Sequence, residues 1–572
     1  MSRIISQPAL FVRWLHWCLV ATSVIAAVVL FLAFRDKTLD PIIDTGRDLY
    51  IGEQMAGGHR LYRDLIYNYP PAGPLFLAIT VGVFGAGLST YQLFGVAVAL
   101  LTAIALYAVT RTAAGPLPAA VAVLFFVCLS FTGASTWGAN YLFPYAYAAT
   151  MGMAFALLFL VSLLRYLFVT QRPLWLGLAV VCGMIATWSK IEYALLVAAT
   201  FAFATIYYRL PLRAALSYLT LLVISTLAFS AYFAGGPFDF SWIREQLLSS
   251  SLLQSESSKF FYGQVSGTSS LLPSLAAALK GTLLIAVIVA LIRSAGRPAG
   301  GDLSPERRRF LLPVVFLGIA VASWFLAGEP LFRAWAILQW LLLPAALHRG
   351  RRSPFALLLV FSLLSSARIA LRTAPVWYGF VLAVPLFAMI VYVFFHELPR
   401  RGVYRVSWSW LWAPVFALTL FAGLDQQVSR YAMKRFPIVT PRGTFLDSNP
   451  DRAAVFTSAI TFLDRHPAAG LVVFPEGVSV NYFSGIPSPL SRYIFTPIET
   501  AAPAVENEIV TQFQTKHPEY VIVLQRDVSE FGYRGFGVDY DIRVRDLLRE
   551  HYHLERAWTP PRFSLVLLRR NS

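Results

Sequence analysis

The chain has 572 residues, 57% hydrophobic and 13% charged, where a soluble domain carries about 25% charged residues. With a mean hydropathy of +0.62, these proportions exclude a disordered chain, a soluble globular enzyme and a secreted disulfide scaffold. The formal charge of +17, from 47 basic and 30 acidic residues, points to membrane edges before it points to nucleic acid. Cys18, Cys128 and Cys182 all lie in apolar runs, so no disulfide framework is implied.

A span needs about 20 apolar residues to cross a hydrocarbon core roughly 30 Å thick. Thirteen runs read as spans: 14–34, 91–110, 116–133, 143–164, 174–189, 191–208, 214–234, 272–292, 310–327, 334–347, 353–367, 378–395 and 406–424. The run 74–87 reads as a helix at the interface, because counting it as a span breaks the alternation of loop charge. No small-residue cleavage site precedes Arg35, so the first run is read as a span and not a cleaved signal. With the N-terminus in the cytoplasm, the loops on that side hold 18 basic residues, from Arg3 and Arg13 through Arg297 and Arg307 to Arg405. They hold three acids, Asp302, Glu306 and Glu397. That is +15 of the +17, the positive-inside pattern of an odd number of crossings. The other side is near neutral: 12 basic and 11 acidic residues in loops and embedded positions, 17 and 16 in the tail. The charge is therefore a topology signal and predicts no nucleic-acid partner.

Taken in order, the first outer loop and its juxtamembrane helices occupy 35–90. The segment DTGRDLYIGEQMAGGHRLYRDLIYNYPPAGPLFLA runs from Asp44 to Ala78. Leu49, Met55 and Ala56 would form one apolar edge of a short helix ended by Gly57-Gly58, lying flat on the outer membrane surface. A second short helix is expected around 61–67, before Pro70-Pro71. Lys190 and Glu192 interrupt an apolar stretch between the fifth and sixth spans, and charges there default to functional hypotheses. The Ser-rich stretch 235–271 reads as a flexible outer flap. Arg368 and Arg372 lie four apart, so an α-helix would put both on one face.

The tail, 425–572, changes composition. Helices at 452–465, 502–515 and 541–551 alternate with strands at 471–474, 520–524 and 563–568, which suggests a small, largely parallel sheet. Loops at strand ends often hold ligands. Phe474-Pro475-Glu476-Gly477 and Asn481–Gly485 therefore either cover a site or are ordinary turns, the simpler reading. The expected fold is a polytopic α-helical membrane protein of about 13 transmembrane helices (1–424) followed by a small periplasmic α/β domain (425–572).

The acid after the first span, the amphipathic helix, Tyr62-Arg63-Asp64 and Tyr69-Pro70-Pro71 together resemble the glycosyltransferase C superfamily. The nearest branch is that of the protein O-mannosyltransferases and lipid A aminoarabinose transferase. Thr187-Trp188-Ser189-Lys190 is similar to that group's Leu-Thr-Lys element. The resemblance implies transfer of a hexosyl or pentosyl unit from a polyprenyl-phosphate donor to an acceptor hydroxyl, at the outer face of a bacterial inner membrane, with inversion. The acceptor would be a glycan, lipid or protein. The enzyme would work as a monomer among membrane lipids, with no cofactor and no required divalent metal. Such chemistry needs a carboxylate to take the hydroxyl proton and cations to meet the leaving phosphate.

On this resemblance Asp44 is the general base. Its other reading is the N-cap of the helix from 45, and Asp40 is close enough to exchange places with it. Lys190, Arg368 and Arg372 would hold the donor phosphate; Asp64, Tyr69, Asn140 and Glu192 would contact substrate. The alternatives are a Lys190–Glu192 or headgroup pair, pairing of Asp64 with Arg60 or Arg63, and helix initiation at Pro70-Pro71. The chain has Asn68 where the aminoarabinose branch has an acid. It also has no acid in 133–142, where Asn140 is the only stand-in. A transporter or flippase of lipid-linked sugars is the other function these features fit.

Overall fold

The computed structural model describes residues 7–133, 138–247, 255–296 and 305–571. Arg3, Arg297, Asp302 and parts of the 133–142 and 235–271 stretches lie outside the described residues. Each of the thirteen apolar runs falls on a helix. Among the described residues, nine helical stretches are long and apolar enough to cross a bilayer, and five shorter apolar helices accompany them, Ala72–Phe84 among these.

The helices differ in what surrounds them. Helix α1 (Gln7–Phe34) has 28 residues, about 42 Å at 1.5 Å per residue. It turns Trp17, Val24, Val28 and Leu32 outward, as a lipid-facing helix does. Helix Tyr147–Phe168 is buried along nearly its whole length and forms the centre of the bundle. Small residues let its neighbours approach. A Cβ on Gly73 would meet the Ala148 Cβ at 2.8 Å, and one on Gly152 would meet the Tyr193 ring at 2.3 Å. Lipid offers no hydrophobic drive between helices, so close packing of this kind holds the bundle together.

After the last apolar helix (Ala413–Ala432) the chain forms a hairpin, β1 (Phe436–Thr440) and β2 (Gly443–Asp447). A four-stranded sheet follows: β3 (Leu471–Phe474), β4 (Tyr520–Leu524), β5 (Tyr552–Trp558) and β6 (Leu565–Arg570), in spatial order β3-β4-β6-β5. Only β3 and β4 are parallel; β6 runs antiparallel to both β4 and β5. This corrects the expected largely parallel sheet. The six residues between β5 and β6 are too few for a parallel crossover, so β6 must fold back on β5. The predicted helices are present as Pro450–Arg465, Pro503–Lys516 and Ile542–His551. The first is capped by Asn449, whose side chain accepts the N–H groups of Asp451 and Arg452.

Asp541 precedes the third of these helices in the left-handed region (φ 51°) without capping it. It is buried; Thr500 Oγ1 donates to its Oδ2 at 2.8 Å, and among the described residues Oδ1 has no partner. Burial, with Glu506 adding to it and Thr500 and Arg492 opposing, pushes its pKa up to about 7. The folded chain therefore binds a proton that the unfolded chain has released above pH ~4, so stability falls as pH rises from about 4 to 7. At most about 4 kcal/mol is at stake. The Asp541→Asn variant is expected to flatten the decline of the thermal unfolding midpoint between pH 5 and pH 8.

The sheet unit is seated on the first loop. Helix α2 (Thr45–Ala56) has all of its first eight residues buried, so it does not lie on a membrane surface with one face in water. It is enclosed between helix Ser479–Ser484 and helix α3 (Ala72–Phe84). Hydrogen bonds join the two parts: Leu446 N–H to Asp36 O at 2.7 Å, Ile66 N–H to Ser491 O at 2.9 Å and Tyr493 OH to Ile66 O at 2.6 Å. Ser479 Oγ donates to Pro41 O. Arg442 and Glu53 form an ion pair across the junction. A Cβ at Gly46 would stand 2.8 Å from the Ser479 Cβ and 2.9 Å from its nitrogen. Gly46→Val is therefore expected to lower stability by about 1–3 kcal/mol, read as a lower unfolding midpoint in detergent; Gly82→Val, with open space around it, is the control.

The short helix expected at 61–67 is absent. Tyr62 takes a positive φ of 65°, and Asp64 Oδ2 accepts the N–H of Arg60 at 2.8 Å, closing a turn in place of a helix. The described part of the Ser-rich flap is also ordered, as helix Glu256–Ser266 with Ser255 as N-cap.

Candidate functional site

Asp44 occupies the N-cap position of α2, yet its side chain makes no capping hydrogen bond. Its backbone has φ 56° and ψ −66°, and Thr45 N–H donates to Ile43 O at 2.6 Å. Asp44 is thus the middle residue of the rare, strained form of γ-turn. Its carboxylate, a quarter exposed, stands 3.7 Å from Arg47 Nη1. One turn of helix brings Arg47 round to it.

Arg47 is itself fixed. Nη2 donates to Tyr145 O at 2.7 Å and Nε to Asp48 Oδ1 at 3.1 Å. The ring of Tyr69 lies 5.1 Å from its guanidinium. Buried Asp48 in turn accepts the N–H of Tyr147, the first residue of the central helix, at 2.6 Å. A carboxylate at a helix N-terminus is favoured by the orphan N–H groups and the helix dipole.

The sheet unit adds a second carboxylate. Glu476 follows β3 and Arg526 follows β4. Because these strands are parallel neighbours, their ends bring the two side chains together, at 2.9 Å. Glu476 Oε1 also accepts the backbone N–H of Asp44 at 3.3 Å. Arg526 pairs further with Glu530. Burial raises the Asp44 pKa to about 7; Arg47 opposes this, and the charges of Glu476, Asp48 and Glu530 add to it. Burial raises Glu476 as well, against the pull of Arg526. The two carboxyls titrate as a pair.

The opposite wall is cationic. The chain breaks between helices Pro173–Thr187 and Ile191–Tyr207 at Trp188-Ser189-Lys190. The N–H of Ala72, which starts α3, donates to Trp188 O at 2.9 Å, so the Tyr69-Pro70-Pro71 segment is held against this break. Buried Lys190 lies 3.3 Å from Tyr145 OH and 3.4 Å from Glu192 Oε1, between the rings of Tyr69 and Tyr145. Arg368 pairs with the same Glu192 and lies against Tyr262 and Tyr378. Two cations share one anion, which leaves a surplus charge of +1. Among the described residues Arg368 Nη2 has no hydrogen-bond partner. Unbalanced charge away from water costs several kcal/mol, and an anion in the cleft would offset it.

Both walls face one cleft of about 820 Å³, to which Phe261, Ile494 and Phe531 add apolar surface. Of the residues singled out in the sequence, Asp44, Tyr69, Lys190, Glu192 and Arg368 line it. Four others do not. Asp40 Oδ1 accepts the N–H groups of Ile42 and Ile43. Burial alone would raise its pKa, but Arg452, Lys434 and these N–H groups hold it below the ordinary value. It is a turn residue.

Asp64 is spent on its turn and an exposed pair with Arg63. Asn140 is buried, donating to Thr38 O and Phe143 O and accepting from Leu142 N–H; its side-chain amide is used within the fold. Arg372 parts from Arg368 because Ala367–Arg372 is a 3₁₀-helix. At three residues per turn, positions four apart no longer share a face. Arg372 donates to Gln264 O at 2.8 Å and lies 3.8 Å from the Trp377 ring.

The residues that sequence reasoning passed over are Arg47, Glu476, Arg526 and Glu499, which accepts from Asn68 Nδ2 at 2.6 Å. Of the two readings of the Phe474–Gly477 loop, the structure favours the one beside a site, since Glu476 lines the cleft. The usable signal was a charged residue just past each of two strands that pair in parallel. Among the described residues no group of three or more His, Cys, Asp or Glu could hold a metal ion.

No family model and no curated protein matches the sequence. Solved structures do. The apo oligosaccharyltransferase of Archaeoglobus fulgidus aligns at 13% identity and a TM-score of 0.46 over 89% of this chain and 69% of that one. ArnT from Cupriavidus metallidurans bound to undecaprenyl phosphate aligns at 13% identity and a TM-score of 0.45, over 96% of this chain and 97% of that one. The apo state of ArnT aligns at 14% and 0.40, over 95% and 97%.

Proposed function

We propose that the protein is a membrane glycosyltransferase that moves a hexosyl or pentosyl unit from a polyprenyl-phosphate donor to an acceptor hydroxyl. The observation that carries this reading is a single cleft with the Asp44 carboxyl on one wall, its pKa raised by burial, and Lys190 and Arg368 sharing one anion on the other. A general base works best with a pKa near the working pH. Asp44 takes the proton of the acceptor hydroxyl. The oxygen bonds to the anomeric carbon as the bond from that carbon to the phosphate oxygen breaks. The bonding pair leaves with the phosphate, whose added negative charge meets Lys190 and Arg368. One displacement inverts the anomeric centre. In this reading the two cations supply positive charge at the leaving phosphate, and no divalent metal is invoked.

Tyr69 and Glu192 orient the cationic wall. The apolar helices keep the donor's chain in lipid, and the acceptor, a glycan, lipid or protein, enters beside the sheet unit. In this reading the protein is a monomer in a bacterial inner membrane. Its N-terminus and basic loops are cytoplasmic, and residues 425–572 form a periplasmic domain over the 1–424 membrane domain.

The test offers the detergent-purified protein undecaprenyl-phosphate-linked mannose, glucose, galactose and 4-aminoarabinose with a cell-envelope extract as acceptor. Transfer with release of undecaprenyl phosphate and an inverted linkage is expected. Movement of intact donor across vesicles without release would favour a flippase instead.

A further inference from the structure

The conformation of Asp44 needs an explanation that α2 does not supply. A non-glycine residue at φ 56°, ψ −66° costs of order 1–3 kcal/mol and persists only where its surroundings impose it. Left alone, an Asp ahead of Thr-Gly-Arg would relax to an extended backbone and cap the helix with its own carboxylate. That would spend the carboxylate on the N–H groups of α2 and turn it out of the cleft. Within the first loop, the turn is held by Thr45 N–H to Ile43 O and Arg47 N–H to Asp44 O. The N–H of Asp44 has one acceptor, Glu476 Oε1, 432 residues along the chain. Glu476 is held in place by Arg526, which Glu530 also holds.

We propose that Glu476 is the positioning residue for Asp44: carried in by the sheet unit, it pins the strained turn that keeps the Asp44 carboxylate in the cleft, so the site is complete only when that unit is docked. The proposal rests on Asp44 as the base and says what makes it one. The sheet unit is then part of the catalytic apparatus and more than a cover for it.

The charged and titratable groups that face Asp44 are Arg47 and Asp48 from α2, Tyr69 and Tyr145 from the loops beside it, Glu476 after β3, and Arg526 and Glu530 after β4. Removing Glu476 acts twice in the same direction. It deletes a neighbouring negative charge, and it frees Asp44 to become an N-cap, whose carboxylate is stabilised by the helix N–H groups.

The experiment follows the carboxyl band of Asp44 by isotope-edited infrared titration of the full chain in detergent, the band being identified by its loss in Asp44→Asn. The wild-type midpoint is expected near 7. In Glu476→Ala it falls by about two units or more, and transfer with the same four donors drops about 100-fold. In Glu476→Gln, which keeps an acceptor for the Asp44 N–H, the midpoint falls by about one unit and activity stays within about tenfold of wild type. An Asp44 midpoint unmoved in Glu476→Ala, or in Glu476→Gln should the alanine variant not fold, overturns the proposal. That outcome leaves the base role standing if Asp44→Asn is inactive. An active Asp44→Asn removes the base role whatever the titration gives.

Discussion

Asp44→Asn is expected to abolish transfer, by roughly 100- to 10,000-fold in kcat, in a protein that folds and is more stable than wild type at pH 8. Both halves follow from the same geometry. The amide keeps the size of the carboxyl but cannot accept a proton, so the acceptor hydroxyl stays a poor nucleophile. The wild-type pKa is raised to about 7, so the folded state binds a proton that the unfolded chain has lost above pH ~4. Folding with Asp44 ionised is therefore penalised, and stability falls as pH rises through about 4 to 7. Asparagine removes that penalty. A variant that gains stability while losing activity separates a catalytic role from a structural one. The wild-type rate should rise with pH along a limb centred near 7, because the working form is the ionised one. Kinetics and differential scanning fluorimetry across pH 5–9 read both effects.

Lys190→Met is the second large effect. Methionine fills the space of the lysine stem, and Glu192 keeps Arg368 as its counter-ion, so no buried anion is left unpaired. What disappears is the surplus positive charge. In the proposed reaction the leaving phosphate gains charge as the sugar departs, and loss of a preorganised charge partner at such a site costs about 10²–10³ in kcat. Affinity for the ground-state phosphate weakens too, read as loss of the thermal shift produced by added undecaprenyl phosphate. Glu192→Gln should act oppositely on binding. It leaves Lys190 and Arg368 facing each other without an anion between them, so the apo protein loses stability while added undecaprenyl phosphate restores more of it than in wild type.

How much of this was legible in the sequence depends on the range of each interaction. The bilayer demands long apolar runs, a local property, so the helices could be placed from composition. Of the five residues that line the cleft, Lys190, Glu192 and Arg368 stand out as charges in or beside apolar stretches, whereas Asp44 and Tyr69 enter through the first-loop pattern that carries the resemblance. Asp64 and Asn140 enter through the same resemblance but are consumed by hydrogen bonds within the fold, Asp64 by the nearby Arg60 N–H and Asn140 partly by the distant Thr38 O, which composition cannot reveal. Arg372 was lost to the difference between 3.6 and 3.0 residues per turn.

Glu476 and Arg526 were missed as site residues because their roles depend on the pairing of β3 with β4 and on the docking of that sheet over α2. A charge just past each strand is visible in the sequence, but nothing within either segment encodes the contact of Glu476 with Asp44, 432 residues away. The sheet was misjudged for a related reason. Strands alternating with helices set an expectation of parallel pairing, and the short return from β5 to β6 decided otherwise.

The central claim is that the cleft between Asp44 and the Lys190–Arg368 wall serves a polyprenyl-phosphate sugar. Native mass spectrometry of the full chain, released from detergent with its bound lipid, tests this most directly. The account predicts a polyprenyl phosphate or its sugar conjugate bound one to one in the wild type and lost in Lys190→Met. Reproducible absence of such a lipid, together with no binding of added undecaprenyl phosphate to the wild type, would contradict it.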